Sequence, residues 1–243
     1  MIKTYITDIG DRNANEDSMY IPSEESRPLF VVCDGMGGHK SGEIASKLAA
    51  VSMVEYVENY RGESIVECLT IASSYANSRV YAASAMCSEY DGMGTTLSAV
   101  YIDGDRFYTA NVGDSRVYLY TGSELLHVTE DHSYVADLVR AGKLTPEQAR
   151  VHPQKNLITR AVGIQQHESA DVFTTTWQEG DIILMCSDGL YDGATDDEIF
   201  NALKNIPDPD AVCRELVYLA REGGSGDNIS IILIKYGRMK NER

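Results

Sequence analysis

The stretch LFVVCDGMGGHKSG, residues 29–42, decides the fold. A short unbroken apolar run bounded by glycines reads as a strand buried on both faces. It delivers Asp34 at its tip, and Gly35 lets the backbone turn or come close to a ligand. The same design recurs in DIILMCSDGLYDG, residues 181–193, where an apolar run leads to Asp188-Gly189. In GGSGDNISIILIKY, residues 223–236, the order is reversed: glycine-rich chain reaches Asp227-Asn228, and then an apolar strand begins. One Asp-Gly after a strand is ordinarily a turn. Three aspartates, each fixed at the end of a rigid strand, point to a shared site. Clustered carboxylates repel one another unless cations lie between them. An all-oxygen donor set suits Mg²⁺ or Mn²⁺ rather than zinc.

Working outward, further strands are expected at residues 2–9, 96–102, 106–112 and 116–120, with those above at 29–33, 181–186 and 229–236. Asp103-Gly104 supplies a hairpin turn between two of them. Two long helices are expected over 41–60 and 64–88. In the first, Ile44, Leu48, Val51, Val54 and Val57 recur at three and four, a one-sided apolar stripe. Thr195 and Glu198 form a capping box that opens a third helix, and Asp208-Pro209 opens a fourth. A smaller helical patch at about 132–150 holds Thr145-Pro146-Glu147-Gln148, again a capping box. Strands and helices do not alternate regularly, so the pattern predicts antiparallel sheets with segregated helices, two sheets stacked as a sandwich.

The chain has 243 residues, 43% of them hydrophobic, enough for one substantial domain. Its net charge of −16 repels nucleic-acid phosphates and argues against DNA or RNA binding. No signal-like leader and no membrane-length apolar run is read, so a cytoplasmic location without membrane contact is expected. Five widely spaced cysteines without a CxxC pair fit a reducing compartment.

Two polar segments add candidates. DRNANEDSMY, residues 11–20, holds Arg12, Glu16 and Asp17: the acids can hold a metal or its waters, and the planar Arg12 fork can grip a phosphate. In ANVGDSRVYLY, residues 110–120, Asp114 serves either as a turn residue between two strands or as a metal ligand. Rival chemistries fail on spacing. No cysteine has an arginine six residues on, as cysteine-based phosphatases require. The residue before Lys40 is His39, which breaks the phosphate-binding loop pattern, and Lys40 takes the last glycine position of GxGxxG.

Six segments in order, RNANED, FVVCDGMGG, GMGTTLSAV, ANVGDSR, LMCSDGLYD and GDNIS, resemble the PPM family, the metal-dependent protein serine/threonine phosphatases of the 2C type, in its compact bacterial branch. The resemblance spans 6–233. It implies an α+β fold: a central antiparallel β-sandwich flanked by antiparallel helix pairs in four layers, α-β-β-α. It also implies one phosphatase domain over 1–243, with a small flap at about 132–167. The implied reaction is hydrolysis of phosphoserine and phosphothreonine in proteins. A bridging water activated by two Mn²⁺ or Mg²⁺ ions ~3.5–4 Å apart attacks phosphorus in line, with no covalent enzyme intermediate.

By the same resemblance Asp34 bridges the two ions, with Asp188 and Asp227 on the first. Glu16 and the Gly35 carbonyl serve the second, Asp17 orients its water, and Arg12 binds the substrate phosphate. Asp114, with Asp188 and Asp192, matches the positions of a third, weaker ion. The partners implied are phosphorylated proteins, among them a serine/threonine kinase and its targets, met by a monomer. One departure stands out. Relatives in eukaryotes place a histidine directly after the metal-binding Asp-Gly, and here that position is Met36; His39 lies three residues on.

Overall fold

The computed structural model describes residues 1–37 and 41–237; His39 lies outside the described residues. In chain order the strands are β1 (Ile2–Asp8), β2 (Asp17–Tyr20), β3 (Leu29–Met36), β4 (Gly94–Thr95), β5 (Leu97–Asp103), β6 (Arg106–Val112), β7 (Arg116–Tyr120), β8 (Leu125–His127), β9 (Asp171–Thr176), β10 (Ile182–Cys186) and β11 (Ile229–Lys235). The helices are α1 (Ser41–Asn59), α2 (Ile65–Met86), α3 (Tyr134–Arg140), α4 (Pro146–Arg150), α5 (Asp188–Gly193), α6 (Asp196–Asn205) and α7 (Pro209–Glu222). One sheet runs β1-β11-β10-β7-β8, and the other β2-β3-β5-β6-β9 with β4 paired to β3. The pairings are antiparallel, as the irregular order of strands and helices predicts.

The continuous apolar runs have a plain cause: each central strand is covered on both faces, so alternate residues enter different cores. In β3, Phe30 and Val32 pack between the sheets while Val31 and Cys33 pack against α1 and α2. In β11, Ile232 and Ile234 join the sandwich core, and Ile229, Ile231 and Leu233 face the core under α5, α6 and α7. Three cores therefore separate four layers, α-β-β-α.

Three details differ from the sequence reading. The apolar stripe of α1 is rotated: Val51 is 53% exposed, and the deepest face carries Ala45, Ala49, Met53 and Val57. Ala45 and Ala49 sit there because α1 lies against both the sheet and α2, and small side chains let the backbones approach closely. Next, Asp188 opens the short helix α5 rather than a turn. Finally, Asp114 does not close a hairpin. It lies where the chain leaves β6 in one sheet and enters β7 in the other. The capping boxes at Thr145 and Thr195 and the Asp208 cap form as expected.

Candidate active site

The strand order explains how the aspartates meet. Asp17 and Asp34 stand opposite each other on the paired strands β2 and β3. Asp188 follows β10, and Asp227 precedes β11, which pairs with β10. One sheet thus offers two carboxylates, its partner sheet offers two, and Asp114 sits on a connection between the sheets.

Their closeness shows in their electrostatics. The carboxyl groups of Asp34 and Asp188 are held well above the usual carboxylate range, by burial first and then by the charges of neighbouring aspartates. Asp188, Asp17, Asp114 and Asp227 act on Asp34; Asp114, Asp192, Asp227 and Asp17 act on Asp188. Burial pushes Asp17 up to about 6, against hydrogen bonds from Ser230 and Ser187. Asp114 is pushed up to about 7 by burial and by Asp131. Glu16 is raised by burial, with Arg12 opposing.

Uncharged residues fix these groups in place. The Asp34 amide donates to Thr96 Oγ1 at 2.9 Å, and the Asp34 carbonyl accepts from Thr96 N–H and Thr95 Oγ1, each at 2.9 Å. Ser187 Oγ donates to Asp17 Oδ2 at 2.8 Å and accepts the Ser230 amide at 3.0 Å, tying the two sheets together. Asn228 Oδ1 accepts the Glu16 amide at 2.7 Å while its Nδ2 donates to the carbonyls of Ile9 and Ala14. None of these supports was singled out from the sequence. A threonine, serine or asparagine reveals such a role only through its partner. Gly35 is needed for a different reason: a Cβ there would lie 2.1 Å from the Gly42 carbonyl oxygen and 2.6 Å from that of Glu16.

The remaining candidates are placed as follows. Arg12, largely exposed, donates from Nη2 to Asp227 Oδ2 at 2.7 Å, and this carboxylate raises its pKa. Its Nε and Nη1 make no side-chain hydrogen bond among the described residues. Asp192 Oδ2 lies 2.7 Å from Lys155 Nζ in the segment that carries α3 and α4. Met36 ends β3, and its thioether has no proton to give. Cys33 and Cys186 are buried in their strands, and burial pushes the Cys186 thiol up to about 12, so neither is a nucleophile.

Among the described residues no three His, Cys, Asp or Glu side chains are already gathered tightly enough to hold a metal ion. The residues nonetheless fit hard cations. Every donor is an oxygen, and Asp17 Oδ1 and Asp188 Oδ1 are buried without a hydrogen-bond partner. Leaving such an oxygen unpaired costs about 1–3 kcal/mol or more. Turning a side chain ~30° off its rotamer costs about 0.5–1.5 kcal/mol. Gathering these carboxylates around a cation is therefore the favourable direction.

Comparison with known proteins agrees with this geometry. The family model described as protein phosphatase 2C matches residues 8–220. The serine/threonine protein phosphatase PstP of Mycobacterium tuberculosis is 38% identical over 225 residues, 91% of this chain. The chain spans only 42% of the length of that relative. The serine/threonine phosphatase Stp1 from Staphylococcus aureus superposes with a TM-score of 0.92 at 34% identity, covering 97% of this chain and 95% of that one. The catalytic domain of PstP in complex with two manganese ions superposes with a TM-score of 0.85 at 35% identity, with 96% of each chain covered.

Proposed function

The chain belongs to the protein phosphatase 2C family of metal-dependent protein serine/threonine phosphatases, and from that premise we propose that it hydrolyses phosphoserine and phosphothreonine in proteins at the carboxylate cluster just described. The observation that carries this reading is the meeting of Asp17, Asp34, Asp188 and Asp227 from two sheets, with two buried carboxylate oxygens lacking partners.

Two divalent cations, Mn²⁺ or Mg²⁺, supply the charge that neutralises a phosphomonoester and the acidity that activates water. Asp34 would lie between them, with Asp188 and Asp227 on one and Glu16 and the Gly35 carbonyl on the other. Asp17, oriented by Ser187, holds a proton acceptor beside them. Asp114, with Asp188 and Asp192, would serve a third and weaker ion. Arg12 keeps one arm on Asp227 and offers Nε and Nη1 to the substrate phosphate; its planar fork suits two phosphate oxygens at once. In-line attack needs no enzyme nucleophile, which agrees with the buried, unreactive cysteines. Residues 1–243 act as one phosphatase domain, a cytoplasmic monomer that reverses a bacterial serine/threonine kinase on its protein substrates. The segment at about 132–167 is its flap.

The test is phosphate release from a phosphothreonine peptide, with Mn²⁺ against EDTA, for the wild type and Asp34→Asn. Release is expected only for the wild type with Mn²⁺. Persistence in EDTA, or in Asp34→Asn, would overturn the two-ion reading. A phosphotyrosine peptide hydrolysed equally well would overturn the substrate class.

A further inference from the structure

The geometry points to a positioning residue that the metal chemistry does not itself use. We propose that His132 pins the Gly113–Asp114 turn to the base of the 132–167 segment, and so sets where the Asp114 carboxylate stands for a cation. This inference rests on the phosphatase reading above.

The turn is held from two sides. Gly113 has φ of +100°, and a Cβ there would lie 2.6 Å from Thr96 Cγ2, so the turn has no side chain of its own to lock it. On one side stands Thr96, which also holds the Asp34 amide. On the other stands His132, which is buried. Its Nδ1 accepts the Gly113 amide at 3.1 Å, and its own amide donates to the Gly113 carbonyl at 3.0 Å. A residue of equal bulk without that acceptor would leave the Gly113 amide buried and unpaired.

The ring is itself fixed. Because Nδ1 accepts a hydrogen bond, the proton of the neutral imidazole is on Nε2, where Asp171 Oδ2 lies 3.0 Å away to receive it. Burial, and then the Arg160 charge, favour that neutral form. Arg160 Nη1 is 2.9 Å from the same Nε2. Two donors do not bond to each other, so these two meet on the Asp171 carboxylate, both of whose oxygens are 3.0 Å from Arg160 Nη1. Arg160 is anchored in turn by the Ser169 carbonyl at 2.7 Å and by Glu168 Oε1 at 3.0 Å.

Two stretches of the 132–167 segment, residues 132–134 and 157–159, meet at this histidine. The Thr159 amide donates to the His132 carbonyl, and the Tyr134 amide to the Leu157 carbonyl, each at 2.8 Å. Ser133 and Ile158 form an antiparallel bridge between them. The path from neck to cluster is short: neck, His132, Gly113, Asp114. A shift at the neck is felt by Asp114, whose charge acts directly on Asp34 and Asp188.

Two substitutions separate the two bonds of the ring. His132→Asn keeps an acceptor near the place of Nδ1 and loses the link to Asp171. His132→Gln keeps a donor near the place of Nε2 and loses the acceptor for Gly113. Both are made in the full chain and shown to be folded by urea unfolding in EDTA. Amide exchange at Gly113, followed by NMR in EDTA, is expected to accelerate about tenfold in His132→Gln and to stay near wild type in His132→Asn. Calorimetric Mn²⁺ titration is expected to show about tenfold or more weakening of the weakest binding step in His132→Gln, as losing the partner that orients a ligand does, with rescue in His132→Asn. The proposal is overturned if His132→Gln matches the wild type in both measurements, if His132→Asn fails as badly as His132→Gln, or if the wild type binds no Mn²⁺. A wild type that binds Mn²⁺ yet leaves a phosphothreonine peptide intact would overturn the phosphatase reading instead, and exchange and calorimetry would still decide the role of His132.

Discussion

A threonine decides where Asp34 stands. Thr96 Oγ1 accepts the Asp34 amide at 2.9 Å and shares a hydrogen bond with Ser115 Oγ at 2.7 Å, and both Thr96 and Ser115 are buried. Thr96→Val keeps the shape and leaves both partners without this oxygen, so a loss of about 1–3 kcal/mol in urea unfolding is expected, with Thr96→Ser near wild type. An unchanged midpoint in Thr96→Val would show that the bond contributes nothing net. The carboxylates were legible in the sequence because glycine-flanked strand ends are conspicuous; Thr96, Ser187 and Asn228 were not, since such residues are common in sheets. The charges also carry a pH dependence. Asp17 titrates at about 6 and Asp114 at about 7 in the folded chain, both above the ordinary carboxylate range. Between the ordinary value and these raised ones the folded chain binds more protons than the unfolded chain, so without cations its stability falls as pH rises through about 6 to 7. A cation held by these groups, as proposed, would have to displace the same protons. Mn²⁺ affinity measured by calorimetry is therefore expected to rise from pH 5.5 to pH 8, and a flat profile would contradict the assigned ligands.

At the scale of the element, periodicity located strands and helices but not always their buried faces. The run over 29–33 continues to Met36, because β4 pairs with its end. The strands β2 and β9 escaped because both are short, half-exposed edge strands without an apolar alternation. In α1 the three-and-four rule chose Ile44, Leu48, Val51, Val54 and Val57, whereas the fully buried face carries Ala45, Ala49, Met53 and Val57. That difference predicts opposite mutational outcomes. Ala49 is fully buried, and Ala49→Leu forces extra methylenes between helix and sheet, a loss of about 1–3 kcal/mol. Val51→Ala, on the exposed side, is expected to stay within about 0.5 kcal/mol of wild type. Chemical unfolding of both variants checks this. Equal losses would restore the stripe read from the sequence. The passage of the chain between sheets after β6 was equally hidden, since the same short turn serves a hairpin or a crossover.

For the molecule as a whole, the cluster is a seam between two sheets, and it sets stability against function. Asp17 and Asp34 belong to one sheet, and Asp188 and Asp227 flank strands of the other. Without cations these carboxylates oppose the sandwich, because each is partly desolvated beside others of the same charge. With cations held as proposed, the same groups would bind the sheets together. Ligand at a hundredfold over its Kd adds about 2.7 kcal/mol to stability. Asp34→Asn removes the carboxylate that most of the others act upon and puts a neutral amide in its place. In EDTA at pH 8 the variant is therefore expected to unfold at a higher temperature than the wild type. At pH 5 the gap narrows, because Asp34 is held well above the usual carboxylate range and carries less of its charge there than at pH 8. On adding Mn²⁺ the order reverses at pH 8: the wild type gains stability and the variant gains little. Scanning calorimetry at the two pH values, with and without Mn²⁺, reads all four states. A variant less stable than the wild type in EDTA at pH 8, or one that gains as much from Mn²⁺, would show that Asp34 is a structural residue rather than the charge around which the cations assemble.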